Sequence, residues 1–288
     1  MVDKKFYKRF FSIYIVLVLQ NIITISVNLT DNIMLGAYGE YSLSGVASVN
    51  QIQFVFQQLM MALGDGLVIF CSQYWGKRQI KSMKKIMATA MQTAVIIAVV
   101  LFLAVSFFPY QAVHIFTTDK RIIAEGIRYL RIIRFTYLLF AITQLLLASL
   151  RSIEIVKIAF ILSVITFFVN CGINYVLIFG NFGAPELGTT GAAIGTLTAR
   201  VVEVVILLIY IIKKEKILNL GWKDYFVFDK VLAKDYFKIT LPILFVQGLW
   251  GVNTALQTVI LGHMTSAAIA ANSVASNLFL MVKSTAAG

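Results

Sequence analysis

NLTDNIMLG, from Asn28 to Gly36, closes the first long apolar stretch and places a carboxylate, Asp31, among Ile, Val, Leu and Phe. Counting back from Asp31, Asn28, Thr24 and Asn21 follow at steps of three, four and three residues. That spacing is one stripe of an α-helix, expected to run over 10–35. A carboxylate inside a bilayer costs at least ~2.5 kcal/mol even on a lenient insertion scale, so it normally faces a partner or a watery cavity. Asp31 is therefore the leading candidate for a coupling-ion or substrate site. The alternative is that it lies about four residues, or ~6 Å, from the end of its helix and merely meets headgroup water.

Working outward, the 288 residues are 59% hydrophobic and 13% charged, and a soluble domain carries about twice that charge fraction. The composition is that of an integral membrane protein. The net charge of +12 does not point to nucleic acid, because the basic residues sit between apolar segments. They read as topology signals and contacts to anionic lipid. Cys71 and Cys171 both lie within apolar segments, and His114 and His263 are isolated, which supports neither a disulfide framework nor a metal or catalytic cluster. The basic N-terminus followed by an apolar run imitates a signal peptide. The run is too long and polar-striped for that, so an uncleaved first span is expected.

Further apolar segments long enough to cross a ~30 Å hydrocarbon core fall near 48–75, 85–108, 129–150, 156–179, 189–212 and 237–261, with another beginning near 267. Continuous apolar runs without alternation predict helices rather than a barrel. Lys and Arg are concentrated before the first segment and in the second, fourth and sixth connectors. The first, fifth and seventh have none, and only the third, with Lys120, Arg121 and Arg128, breaks the alternation. The positive-inside rule then places the N-terminus and the even connectors in the cytoplasm.

The sixth connector, 213–236, is the only long polar stretch. Its charges alternate with Trp222, Tyr225, Phe226, Phe228 and Tyr236, suggesting an amphipathic segment on the cytoplasmic face. It reads as a linker between a six-helix lobe, 1–212, and the start of a second, 237–288. An internal repeat at an offset of 226 supports the division: Leu35 and Gly36 fall on Leu261 and Gly262, and GVASVNQIQF from Gly45 matches AANSVASNLF from Ala270, one residue short of that offset. Asn21, Thr24, Asn28 and Asp31 fall on Gln247, Trp250, Thr254 and Gln257. Six spans separate the copies, so they enter the membrane in the same direction, as parallel-repeat secondary transporters do. A complete second unit would extend to about residue 450, so the expectation is a fragment lacking most of its second lobe.

Other polar groups share helix faces. Gln51, Gln58 and Asp65 repeat every seven residues on the second segment. Asp65 either lines the cavity or pairs with Lys77 or Arg78. The fifth carries Ser163, Thr166, Asn170 and Asn174 on one stripe, which serves as ligands or as packing hydrogen bonds. The sixth opens with GAAIGT at Gly191, suited to tight packing. It continues with Thr196, Thr198, Arg200 and Glu203, where Arg200 and Glu203, three apart, are expected to pair. Arg131 and Arg134 are expected to snorkel. No HExxH, Walker or nucleophile–base arrangement is present, so an enzyme is not expected.

NLTDNIMLG, SQYWG from Ser72, LASLRSIEIVK from Leu147, VNCGINYVLIFGNFGAPELGTTGAAIGT from Val169, TLPILFVQ from Thr240 and ILGHMTSAAIAANSVASNLF from Ile260 together resemble the multidrug and toxic compound extrusion (MATE) family. The resemblance covers the whole chain, although a complete member has twelve helices. It implies an all-α membrane bundle in the bacterial plasma membrane that exports organic, often cationic, compounds in exchange for Na⁺ or H⁺ by alternating access. No cofactor beyond the coupling ion is implied. The family's acidic site falls on Asp31, its fifth-helix asparagine on Asn170 and its sixth-helix hydroxyl on Thr196. An acidic position of some members is Asn174 here, leaving Asp31 the main carboxylate and the possible Na⁺ ligand. Asn28, Gln58 and Asp65 complete the candidate ion- or substrate-binding set. The alternatives are a flippase for a lipid-linked precursor, which calls for an Arg-lined cavity, and a fragment without activity of its own.

Overall fold

A computed structural model describes residues 4–215, 229–262 and 279. The expected amphipathic segment in the sixth connector falls mostly outside the described residues, as do the eighth span and the second copy of the repeat motif. Among the described residues the fold is all helical: α1 (Lys4–Tyr38), α2 (Glu40–Gly76), α3 (Ile80–Phe107), α4 (Pro109–His114), α5 (Lys120–Ile133), α6 (Phe135–Ser152), α7 (Lys157–Phe179), α8 (Thr189–Lys214) and α9 (Lys230–Gly262). Seven of these are long and apolar enough to span a membrane: α1, α2, α3, α6, α7, α8 and α9.

The apolar segments are where the sequence places them, but two connectors are not loops. The first shrinks to one residue, Gly39, and α2 begins at Glu40 rather than near 48. A glutamate in a first turn is favoured by the helix dipole, so the polar residues before Gly45 belong to the helix. The third connector is mostly helical, as α4 and the first part of α5, whose N-terminus is capped by the Asp119 carboxylate accepting from the Arg121 N–H at 2.7 Å. α5 passes directly into α6 at Arg134, whose N–H donates to the Leu130 carbonyl at 3.2 Å. The charges that broke the topology pattern therefore belong to one end of a long, jointed helix.

α2 is the central element, packing on α3, α5, α6 and α9, while α7 packs on α1 and α8. The core between α2, α3 and α6 is built from Met60, Leu63, Leu67, Met83, Ile86, Leu145 and Leu150, all fully buried. Ala90, Ala94 and Ala98, also buried, form a small-residue row along α3 that lets a neighbouring helix approach closely. At the far end Gly45 and Gly126 touch: a Cβ on Gly45 would sit 2.8 Å from the Gly126 nitrogen.

α9 lies antiparallel along α2. Trp250 and Phe54 rings are 5.3 Å apart, and at the other end the Tyr236 hydroxyl donates to the Leu63 carbonyl at 2.9 Å. Tyr236 is thus fully buried, not part of an interfacial segment as its charged neighbours suggested. α9 starts at Lys230, where Asp229 accepts from the N–H groups of Val231 and Leu232 and pairs with Lys85 of α3 at 3.0 Å.

Candidate functional site

Where α1, α7 and α8 converge, side chains from all three join in one hydrogen-bonded chain. The Asn174 amide nitrogen donates to Asp31 Oδ1 at 2.7 Å and to Asn170 Oδ1 at 3.3 Å. Asn170 in turn donates to the Thr196 hydroxyl at 3.3 Å. Asn170 and Asn174 are one helical turn apart on α7 and buried, so a carboxylate, two amides and a hydroxyl share one pocket between the spans.

Helix phase accounts for which polar residues arrive. The lower half of the α7 stripe does not: Ser163 donates to the Ala159 carbonyl and Thr166 to the Leu162 and Ser163 carbonyls within their own helix. Those two hydroxyls are satisfied locally. The sixth segment's glycines have a more specific task than general tight packing. A Cβ on Gly195 would overlap Asn174 Oδ1, and one on Gly191 would lie 2.6 Å from the Leu177 carbonyl oxygen. α8 presses its backbone against α7 at these two positions, and the Asn174 amide occupies the space a side chain would fill. Asn174 Oδ1 is buried with no hydrogen-bond partner.

Around this chain stand further groups. Tyr129 of α5 is buried, within hydrogen-bonding reach of Thr196 and close enough to Asp31 to interact with it electrostatically. Cys171 lies by Thr30 and Asp31. Arg200, one turn past Thr196 on α8, is the cation that acts on Asp31. Its guanidinium donates to Glu203 at 2.7 Å and lies 5.1 Å from the Phe140 ring centre, so the expected pair forms.

The remaining candidates lie elsewhere. Asn28 is exposed, although it shares the stripe of Asp31. Gln58 is buried at the α2–α9 seam, its side chain against Gly251, and not in the Asp31 pocket. Asp65 neither joins that pocket nor pairs with Lys77 or Arg78. Its carboxylate is 4.0 Å from Arg151 of α6, with both side chains about a third exposed or more (42% and 33%). The sequence reading overlooked Tyr129 and also Glu125, which accepts from Thr189 at the start of α8 and from Arg128 at 2.7 Å. Glu125 sits in the third connector, where only the charge pattern hinted at order, and Tyr129 at the first residue of the expected fourth span.

Among the described residues no group of three His, Cys, Asp or Glu is placed to hold a metal ion. The oxygens on offer suit a hard cation or a proton: one carboxylate, two amide carbonyls and a hydroxyl.

A multi-pass helical bundle with an ionisable group sunk between its spans defines a polytopic membrane protein with a polar site inside the bundle. The MatE family profile matches residues 17–176, more than half of the chain, and the protein belongs to the MATE family. The probable multidrug resistance protein NorM of Thermotoga maritima is 28% identical over 198 residues, covering 68% of this chain and 42% of that protein. The uncharacterized transporter YisQ of Bacillus subtilis is 23% identical over 252 residues, covering 88% and 55%. Among solved structures, that of the MATE multidrug transporter DinF-BH superimposes with a TM-score of 0.86 at 18% identity. It covers 96% of this chain and 61% of that one. A MATE crystal structure in the bent conformation gives 0.81 at 16% identity, covering 98% and 63%. The chain spans about half the length of the curated relatives it matches.

Proposed function

We propose that this chain carries the ion-coupling lobe of an efflux antiporter that exchanges Na⁺ or H⁺ for organic, cationic compounds across the plasma membrane. The N-terminus and the α2–α3 turn would face the cytoplasm. The observation that carries the reading is the unbroken link Asp31–Asn174–Asn170–Thr196 across three spans. A carboxylate removed from bulk water is drawn to neutralisation by a proton or a cation. The empty, charged carboxylate is satisfied by the Asn174 NH₂ group. Na⁺ on Asp31 repels that donor, and a proton turns one carboxyl oxygen into a donor; either calls for an oxygen, which the same amide supplies by turning its partnerless Oδ1 inward. Occupancy of Asp31 is thereby tied to the α7–α8 contact at Gly195, and a ligand that favours one arrangement shifts the population toward it.

Arg200 is paired with Glu203 through one terminal nitrogen and packed on Phe140, so its charge is already partly offset against a pyrophosphate. That favours an exporter of cations over a flippase for lipid-linked precursors. The test is ethidium efflux from cells expressing the full reading frame, wild type against Asp31→Asn, with the Na⁺ and H⁺ gradients collapsed in turn. Efflux is expected to disappear in the variant and to depend on one gradient. An Asp31→Asn protein that exports as well as wild type would remove the reading.

A further inference from the structure

At the joint between α5 and α6, two arginines stand on the lipid side of the bundle without a carboxylate. Arg134 is bracketed by aromatic rings, its guanidinium 5.5 Å from the Phe102 ring centre and 5.1 Å from that of Phe135. Its Nε is buried and has no hydrogen-bond partner. Arg131, one turn away on the same face, is exposed. Neither side chain is in an ion pair among the described residues, whereas the nearby Arg128 is taken by Glu125.

The depth of this pair is set by its neighbours. Arg134 immediately precedes the apolar span Phe135–Ser152. Phe102 lies five residues before the end of α3 at Phe107, roughly 7.5 Å along its axis. That is where hydrocarbon gives way to headgroups at the end of the bundle shared with the α1–α2 turn. Beside and below it lie the exposed apolar side chains of Leu103, Phe135 and Leu138, with relative exposures of 44%, 46% and 37%. A guanidinium at the edge of hydrocarbon requires an anion, and its planar fork matches a phosphate. The aromatic faces hold it in place while leaving its terminal nitrogens to a ligand.

We propose that Arg131 and Arg134 form a binding site for the phosphodiester of an anionic phospholipid, with one acyl chain lying along Leu103, Phe135 and Leu138. A lipid seated there clamps α3 to the α5–α6 joint. The site stands apart from Asp31 and does not depend on the transport reading.

The test is native mass spectrometry of the purified 288-residue protein, offered equal amounts of palmitoyl-oleoyl phosphatidylglycerol and phosphatidylcholine. Wild type should retain the phosphatidylglycerol about thirty-fold more, since each guanidinium gains ~1 kcal/mol from a net anionic headgroup while the choline of the other lipid offsets its phosphate charge. The preference should vanish in the double variant Arg131→Gln/Arg134→Gln. It should survive in Lys77→Gln/Lys81→Gln, which removes charge from the opposite end of the bundle, and it should survive excess inorganic phosphate. Equal retention of the two lipids by wild type overturns the proposal without need of any variant. So does an unchanged preference in the double arginine variant, or displacement of the lipid by inorganic phosphate, which would mark a site for a free anion.

Discussion

Gly195→Ala tests the pocket through a methyl group alone. The new Cβ would sit nearer Asn174 Oδ1 than the 3.0 Å that real Cβ atoms keep, 3.0 Å from its Cγ and 3.5 Å from its backbone nitrogen. Restoring ordinary contact, about 3.5 Å or more between heavy atoms, moves the amide oxygen by about 1.5 Å or pushes α7 and α8 apart. Asn174 donates to Asp31 at 2.7 Å, and a donor–acceptor distance of about 3.6 Å is no longer a hydrogen bond. The loss of a bond to a charged group, ~1.5–3 kcal/mol, adds to an overpacking cost of ~1–3 kcal/mol. Alanine in a helix interior would otherwise gain up to ~1 kcal/mol over glycine. Gly172 on α7 supplies the control, because a Cβ there meets nothing within 4 Å. Thermal unfolding in detergent, followed by circular dichroism, should show Gly195→Ala melting several degrees below wild type and Gly172→Ala at or above it. In the full reading frame, Gly195→Ala should also require about ten-fold to a hundred-fold less coupling ion for half-maximal efflux, because the lost bond stabilised the empty carboxylate and ~1.5–3 kcal/mol corresponds to that ratio. If the two alanine variants behave alike, the Asn174 amide is not held by the α8 backbone and the argument for its role fails.

Two further outcomes follow from the ion pairs. Glu203→Gln leaves Arg200 without its 2.7 Å partner in a site where the two side chains are only 24% and 9% exposed. Breaking such a pair from one side costs ~3–5 kcal/mol, and Arg200→Gln/Glu203→Gln should recover most of it. A double-mutant cycle on unfolding midpoints reads this, and a single variant within ~0.5 kcal/mol of wild type would contradict it. At the start of α9, the hydrogen bond from Lys85 holds the Asp229 carboxyl below the usual carboxylate range, helped by the Leu232 N–H. Its folded-state pKa is depressed, so its contribution is present above the unfolded pKa and fades as pH falls through the lower, folded value. Protection of the Lys230 end of α9 from limited proteolysis should therefore drop in that acid window. In Lys85→Gln the drop should begin at higher pH; an unshifted profile would mean the pair does not anchor the helix.

The apolar runs reveal the helices because a membrane span must satisfy its backbone internally and expose only apolar side chains to lipid. That rule speaks to spans and is silent about helix outside them, which is why α5 and the first turns of α2 read as connectors. The site was legible as separate stripes, and a stripe fixes a face without naming the face it meets. Asn28 and Asp31 are three residues apart, so they point about 60° from each other. With Asp31 turned to α7, that rotation is enough to leave Asn28 exposed. Gln58 and Asp65 do share a face, but α9 covers it at Gly251 and Arg151 of α6 claims its other end. The motif resemblance joined Asp31 to Asn170, Asn174 and Thr196, a pairing of faces that periodicity alone leaves open.

What positions the carboxylate's partners is largely the absence of side chains. Gly191 brings α8 onto the α7 backbone at Leu177, and Gly195 leaves the hollow that Asn174 fills. Gly188, at a φ of +52° before α8, receives the Tyr38 ring at the end of the Asp31 helix, which a Cβ would meet at 2.5 Å. α1, α7 and α8 are thus registered to one another by three glycines within the eight residues from Gly188 to Gly195. A change of charge at Asp31 acts on a joint with almost no slack. Because the packed contact cannot yield gradually, a cation or proton that turns the Asn174 amide must either be refused or move α8 against α7 as a unit. That is the property a coupling site requires, and it is set by residues with no chemistry of their own.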